Sequence, residues 1–211
     1  MKFEALLGLV ADEPVFPSAL LLAGEVSTAQ VRLQLSRWVK SGRLLQLRRG
    51  LYSLAPMWRK VEPHPFLVAN RLQPGSFVSL QSALAFHGVI PEHVPVVTSV
   101  GPGRPETVHN PLGAFQFKHL TGTLFFGYSR MEVATRQLAF VASPEKALLD
   151  LIHLTPGADS ENYLRELRLQ NPEAMDLSTL DELARRSGKA KLLRAARLVK
   201  HLLEAEGGEA L

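Results

Sequence analysis

The order of the periodic segments in the first 55 residues is the feature that most constrains the fold. A first helix is predicted by four apolar residues at helical spacing, namely Phe3, Leu6, Leu7 and Val10. A short second helix is predicted over 17–23 and a third over 27–40, with Gly24 at the stop between them. Two helices joined by a short glycine-containing turn have the spacing of a helix-turn-helix.

The third predicted helix begins after Ser27, a residue type favoured as an N-cap, and ends at 41–42. Its inner side carries Val31, Leu35, Trp38 and Val39. Its outer side carries Ala29, Gln30, Leu33, Ser36, Arg37 and Lys40. Because a helix in the major groove needs long donors to reach base edges, we predict that Gln30 and Arg37 contact bases, with Arg32 on the flank.

Leu33 is the apolar exception on this outer side. Three interpretations fit the sequence equally well. The side chain touches a thymine methyl group, packs on a neighbouring element, or is simply exposed.

A β-hairpin is predicted over 43–54, where two short apolar-rich runs flank Arg48, Arg49 and Gly50. Arginines at such a tip reach phosphates or the minor groove, so the hairpin is interpreted as the wing of a winged helix. The full set of predicted DNA contacts is Ser27, Thr28, Gln30, Arg32, Gln34, Arg37, Lys40, Arg43, Arg48 and Arg49. The alternative is that Trp38 and Tyr52 are only core residues and that the arginines form a solvated face.

Charge is segregated along the chain. Residues 27–60 hold eight Lys or Arg and no Asp or Glu, whereas 63–184 hold eight basic and twelve acidic residues. A second acid-free block, 185–203, holds seven basic residues, and a last helix is predicted over 188–205. The basic face of that helix consists of Arg194, Arg197, Lys200 and His201. It is either an additional contact to DNA or to an acidic partner, or an ordinary solvated surface.

The length of 211 residues favours two units, a winged helix-turn-helix over 1–60 and a larger unit over 61–211. The fold class is therefore predicted as α+β. In the larger unit, helices are expected over 66–72, 80–87, 143–154, 160–169, 178–187 and 188–205. Strands are expected over 76–79, 94–100, 114–119, 123–128, 131–135 and 138–142, in a mostly antiparallel sheet.

The residues give little support to an enzyme. The chain has no cysteine, its seven histidines lack the spacing of zinc ligands, and no serine lies in a nucleophile motif. The segment 101–105 lacks the phosphate-loop pattern and is interpreted as a rigid connection. Lys146 and Asp150, one helical turn apart, are interpreted as a surface pair of structural type. No catalytic residue, metal or cofactor is assigned.

The N-terminal segment has no cleavage motif, and no run of residues is long and apolar enough to span a membrane. We therefore expect an unprocessed cytoplasmic protein without a membrane partner. The absence of cysteine is compatible with a reducing compartment.

Three segments together resemble the AbiEi antitoxin family of type IV, abortive-infection toxin–antitoxin systems. They are LRRGLY at 47–52, VSLQSALAFHG at 78–88 and ASPEKALLDL at 142–151. Their order and separation match over roughly 16–154, about two thirds of the chain. The resemblance implies an N-terminal domain that binds inverted repeats in its own promoter, and a C-terminal antitoxin domain directed against a co-encoded nucleotidyltransferase-like toxin. It agrees with DNA contacts from Gln30, Arg32, Arg37, Arg48 and Arg49.

Three functions are therefore considered. The first is an autoregulatory DNA-binding repressor and antitoxin, acting as two copies on an inverted repeat. The second is a protein-interaction module or a regulator without a toxin. The third is an enzyme acting on nucleic acid, which ranks last because the sequence has no D-x-D or comparable carboxylate pair for a metal.

Overall fold

The computed structural model of the protein describes residues 1–10, 12–22, 27–92 and 94–209, with side chains as far as Glu204. Over these residues the fold is α+β, as predicted, and contains two β-sheets. None of the described helices combines the length and the apolar character needed to cross a bilayer.

The N-terminal part begins with α1 (Phe3–Val10), which buries Phe3, Leu6 and Val10. The elements that follow are β1 (Phe16–Pro17), a 3-10 helix (Ser18–Leu22), α2 (Thr28–Lys40), β2 (Leu44–Arg48) and β3 (Leu51–Leu54). The three strands form an antiparallel sheet in the order β1-β3-β2. The predicted first helix, third helix and hairpin are confirmed.

In this part of the chain, the structure differs from the prediction at the second helix, which was predicted over 17–23. Pro17 belongs to β1 and lies opposite Leu51, and the residues after it form the 3-10 helix. Proline has no N–H to donate and is tolerated at a sheet edge, which is where β1 lies. Ala23 and Gly24, the predicted end of this helix, lie outside the described residues.

The larger part contains six α-helices and six strands among the described residues from 61 to 209. The helices are α3 (Pro65–Leu72), α4 (Leu80–Phe86), α5 (Pro144–Leu154), α6 (Glu161–Glu166), α7 (Leu177–Arg186) and α8 (Ala190–Glu209). The strands are β4 (Phe77–Val78), β5 (Val96–Gly101), β6 (Glu106–Asn110), β7 (Gly113–His119), β8 (Tyr128–Ala134) and β9 (Gln137–Ala142).

These six strands form one mixed sheet in the order β6-β7-β5-β4-β9-β8. The pairs β5–β7 and β4–β9 are parallel and the other three are antiparallel, so the sheet is less uniformly antiparallel than predicted. The predictions omitted β6, an edge strand whose mixed polar sequence gives a weak apolar pattern. The strand predicted over 123–128 is instead largely a 3-10 turn (Gly122–Leu124) followed by Gly127, which has a φ of +70°.

Two hydrophobic cores divide the molecule. The smaller one joins α1, α2 and the hairpin around Trp38, and the larger one fills the space between the mixed sheet and its helices. The side chains of Val15, Leu47 and Leu51 pack in the larger core although they precede residue 60. The hairpin therefore contributes to both cores, and the division near residue 60 stays a prediction.

Lys146 and Asp150 correct the expectation of a surface pair. Both side chains are 2% exposed and form an ion pair within α5. The Ser79 hydroxyl donates to Asp150 Oδ2 at 2.8 Å, which joins the two sequence segments 78–88 and 142–151 in the core. Burial lowers the pKa of Lys146 and raises that of Asp150, and the charge of each partner opposes the shift.

Candidate nucleic-acid interface

Helix α2 forms because one stripe of its residues is buried and its end is well defined. Val31, Leu35 and Trp38 are buried, and Phe3 of α1 meets the Trp38 ring edge-on with centroids 5.5 Å apart. The helix ends where Gly42 takes a φ of +68°. Ser27 occupies the N-cap position as predicted, but its side chain makes no capping hydrogen bond.

The opposite side of α2 faces solvent. Every residue predicted for the outer face is exposed, namely Ala29, Gln30, Leu33, Ser36, Arg37 and Lys40. Ser27, Thr28 and Arg32 are exposed as well, whereas Gln34 is half-buried beside the apolar stripe. Seven of the ten predicted contacts thus lie on this one helix or at its start.

The tertiary structure divides the eight basic residues of 27–60 into two groups. Three form ion pairs, Arg48 with Glu106, Arg59 with Glu62, and Lys60 with Asp12. The other five make no ion pair within the described part of the chain, and they are Arg32, Arg37, Lys40, Arg43 and Arg49. All five lie on α2, directly after it, or at the turn of the hairpin. Positive charge therefore remains uncompensated where DNA contacts were predicted.

Arg48 is directed toward the larger part of the molecule. Its Nη1 donates to Glu106 Oε1 at 2.8 Å and to the carbonyl oxygen of Leu72 at 3.0 Å. The Gln73 amide donates to the same Glu106 oxygen at 3.2 Å. This contact ties β2 to β6, so a DNA contact by Arg48 stays a prediction that requires this guanidinium to be shared or released.

Arg49 and Gly50 form the two-residue turn between β2 and β3. Gly50 has a φ of +82°, a conformation that glycine adopts without strain. Its carbonyl oxygen accepts from the backbone N–H of Ser18 at 2.8 Å, which holds the turn against the 3-10 helix. The Arg49 side chain is exposed on this anchored turn.

No family model matches this chain, and no curated protein matches it. Among solved structures it is similar to the crystal structure of the RV2827C protein from Mycobacterium tuberculosis, with 16% sequence identity and a TM-score of 0.48. The match covers 93% of this chain and 79% of that chain. This similarity is too distant to bear on function.

The predicted basic face of α8 is partly neutralised. Arg194 donates to Asp159 at 2.7 Å, and Lys200 lies 3.9 Å from Glu204. Arg197 and His201 are exposed and make no ion pair within the described residues. Both acids come from outside the acid-free block 185–203, so the sequence count overstated the free charge on this helix.

Glu106 is the residue that sequence reasoning missed at this site. It belongs to β6, which was not predicted, and it lies 58 positions from its partner Arg48. A charge count along the chain gives no sign of such a distant pair. Among the described residues, no group of three His, Asp or Glu side chains is arranged to hold a metal ion.

Proposed function

We propose that residues 1–60 form a winged helix-turn-helix that binds DNA, with α2 as the recognition helix. The order of elements supports this, because α2 is followed by a hairpin and the short strand β1 pairs with the second hairpin strand. The 3-10 helix before α2 takes the place of the first helix of the helix-turn-helix.

One observation carries the proposal. The outer face of α2 is exposed and free of acidic residues, and its cations have no partner among the described side chains. A surface of this kind binds the phosphate backbone with a strong dependence on salt. In the segment 63–184 of the larger part, by contrast, eight basic residues are interspersed with twelve acidic ones.

The ten predicted DNA contacts then divide into base contacts and phosphate contacts by the length and position of their side chains. Gln30 suits the bidentate pair in which its amide donates to adenine N7 and accepts from adenine N6, and Arg37 suits bidentate donation to guanine O6 and N7. The remaining members contact phosphates and position the protein, and they are Ser27, Thr28, Arg32, Gln34, Lys40, Arg43, Arg48 and Arg49. Arg48 contributes least directly because Glu106 and the Leu72 carbonyl already occupy its Nη1.

We further propose that the protein is an autoregulatory repressor. A single recognition helix covers few base pairs, so two copies on an inverted repeat would provide the specificity that a promoter site requires. The antitoxin role rests on the resemblance to the AbiEi family alone. The two family-like segments of the larger part pack together through Ser79 and Asp150, which makes them one structural unit.

The test is fluorescence anisotropy of the purified protein with the DNA upstream of its own gene and with a scrambled duplex, across a salt series. We expect tighter binding to the upstream DNA and a steep decline of log K with log salt. Weak and equal binding to both duplexes would reject the repressor and favour the protein-interaction module.

The antitoxin role needs its own experiment. The gene next to that of this protein would be expressed alone and together with it. If the neighbour is a nucleotidyltransferase-like toxin, growth should stop when it is expressed alone and recover on co-expression. A neighbour without toxicity, combined with specific DNA binding, would leave a regulator without a toxin.

A further inference from the structure

Leu33 is an apolar side chain at the centre of the proposed recognition face. It is 54% exposed, and its helical neighbours one turn away, Ala29 and Arg37, are exposed too. Any packing on a neighbouring described element therefore leaves about half of this residue exposed. Contact of a leucine side chain with water is unfavourable, whereas its burial against an apolar group is favourable. Leu33 therefore contributes to binding only if the partner presents an apolar group to it.

Leu33 also lies at the edge of a groove of about 270 Å³ beside α2. Its apolar lining includes Met1, Leu21, Val31 and Trp38. Its polar lining includes Gln30, Gln34 and Arg37, which offer long hydrogen-bond donors, and none of the described residues that line it is acidic. A complementary partner therefore presents acceptors and negative charge next to a small apolar group.

The major groove of DNA combines these features. Adenine and guanine present acceptors on their outer edges, the phosphates carry the charge, and thymine is the unmodified DNA base with a methyl group there. Leu33 and Arg37 are one helical turn apart, about 6 Å along the axis. That distance corresponds to about two base pairs at roughly 3.4 Å each.

We propose that Leu33 contacts the C5 methyl group of a thymine in each half-site, with Arg37 on a guanine about two base pairs away. The proposal rests on the function proposed above and adds the base composition of the site. Leucine can neither donate nor accept a hydrogen bond, so it distinguishes thymine from the other bases by its methyl group alone.

The test begins by selecting bound duplexes from a randomised DNA pool with the full-length protein. Each thymine of the selected site is then replaced by deoxyuridine, which removes only the methyl group. We expect one thymine per half-site to lower affinity about fourfold when replaced, the usual effect of one buried methyl group. Leu33→Ala should bind the thymine and deoxyuridine duplexes equally, and Leu33→Met should retain a preference for thymine.

Ser36→Ala is the matched control, because Ser36 is exposed on the same helix and is not among the predicted contacts. It should keep the full deoxyuridine effect. Thermal unfolding of Leu33→Ala should match the wild type, since the side chain is largely exposed.

The outcomes separate the two proposals. Sequence-specific binding without any deoxyuridine effect, or an effect that persists in Leu33→Ala, overturns the thymine contact and leaves the repressor intact. A selection without sequence preference rejects the repressor and the thymine contact together. If Leu33→Ala changes the sedimentation of the protein without DNA, the face is a protein contact and the thymine assignment is wrong.

Discussion

The N-terminal and larger parts of the molecule differ in where their unpaired cations lie. On α2, directly after it and at the hairpin turn, five cations have no acidic partner within the described residues, and the segment 27–60 that holds them contains no Asp or Glu. In the larger part, Lys146 is buried with Asp150 and exposed cations on α6, α7 and α8 pair with acids. The described cations of 63–184 that make no ion pair are interspersed with twelve acidic residues. Both parts use the same residue types. We therefore expect an external anionic partner to favour the surface on which unpaired cations cluster without acids.

The basic helix α8 lies between these two cases, because only some of its cations are paired with acids. The block 185–203 is as free of acids in sequence as the segment of α2, yet Asp159 and Glu204, which lie outside that block, reach two cations of α8. Folding brings Asp159 to α8, and Glu204 follows Lys200 by one turn on the same helix, whereas no described acid forms an ion pair on the outer face of α2. Four predictions test this contrast, in order of decreasing expected effect.

The largest effect is expected from the buried pair. Asp150→Ala leaves Lys146 as an uncompensated buried charge and should lower the free energy of unfolding by about 3–5 kcal/mol. Urea denaturation would measure the change. As a control, Glu161→Ala removes the acid of the exposed Glu161–Arg165 pair and should cost less than about 1 kcal/mol. If Asp150→Ala were no more destabilising than this control, the pair would not be essential to the core.

Arg37→Ala should have the largest effect on DNA binding. Loss of a bidentate contact to guanine costs about 1–3 kcal/mol and relaxes specificity at that base pair. Anisotropy with the upstream duplex and with single-base variants would measure both. An equal loss on specific and scrambled DNA would assign Arg37 to a phosphate instead.

Substitution of the two hairpin arginines should change the salt dependence of DNA binding to different extents. Arg49→Ala removes an exposed cation and should reduce the slope of log K against log salt by about 1, with similar losses on all sequences. Arg48→Ala should change the slope less, because Glu106 already neutralises this guanidinium. Equal changes in slope would show that DNA releases Arg48 from Glu106.

The smallest effect is expected on α8. Arg197→Ala removes an exposed cation of the same type as Arg37, at a helix whose charge is partly neutralised. We expect DNA affinity and salt slope to stay unchanged in anisotropy. A slope reduced by about 1 would instead establish α8 as a second DNA contact.

Much of the fold could be predicted from local sequence patterns. The first helix, α2, the hairpin and α5 follow from apolar spacing, from Gly42 and Gly50 at their turns, and from Ser143, whose hydroxyl accepts from Lys146 N at 3.2 Å. Elements at the edges of the sheets were harder to predict from the sequence. β6 carries few apolar residues, and the 3-10 helix after Pro17 is too short for its period to be recognised.

For the candidate site, too, local features could be predicted from the sequence and distant contacts could not. The sequence by itself determined which side of α2 faces outward, because helical periodicity assigns Val31, Leu35 and Trp38 to the core and leaves the opposite side to solvent. Only the tertiary structure decided which cations remain unpaired and that Lys146 and Asp150 are buried. Such pairings depend on residues far apart in the chain, as with Arg48 and Glu106, and the Coulomb interaction depends on distance in space rather than along the sequence.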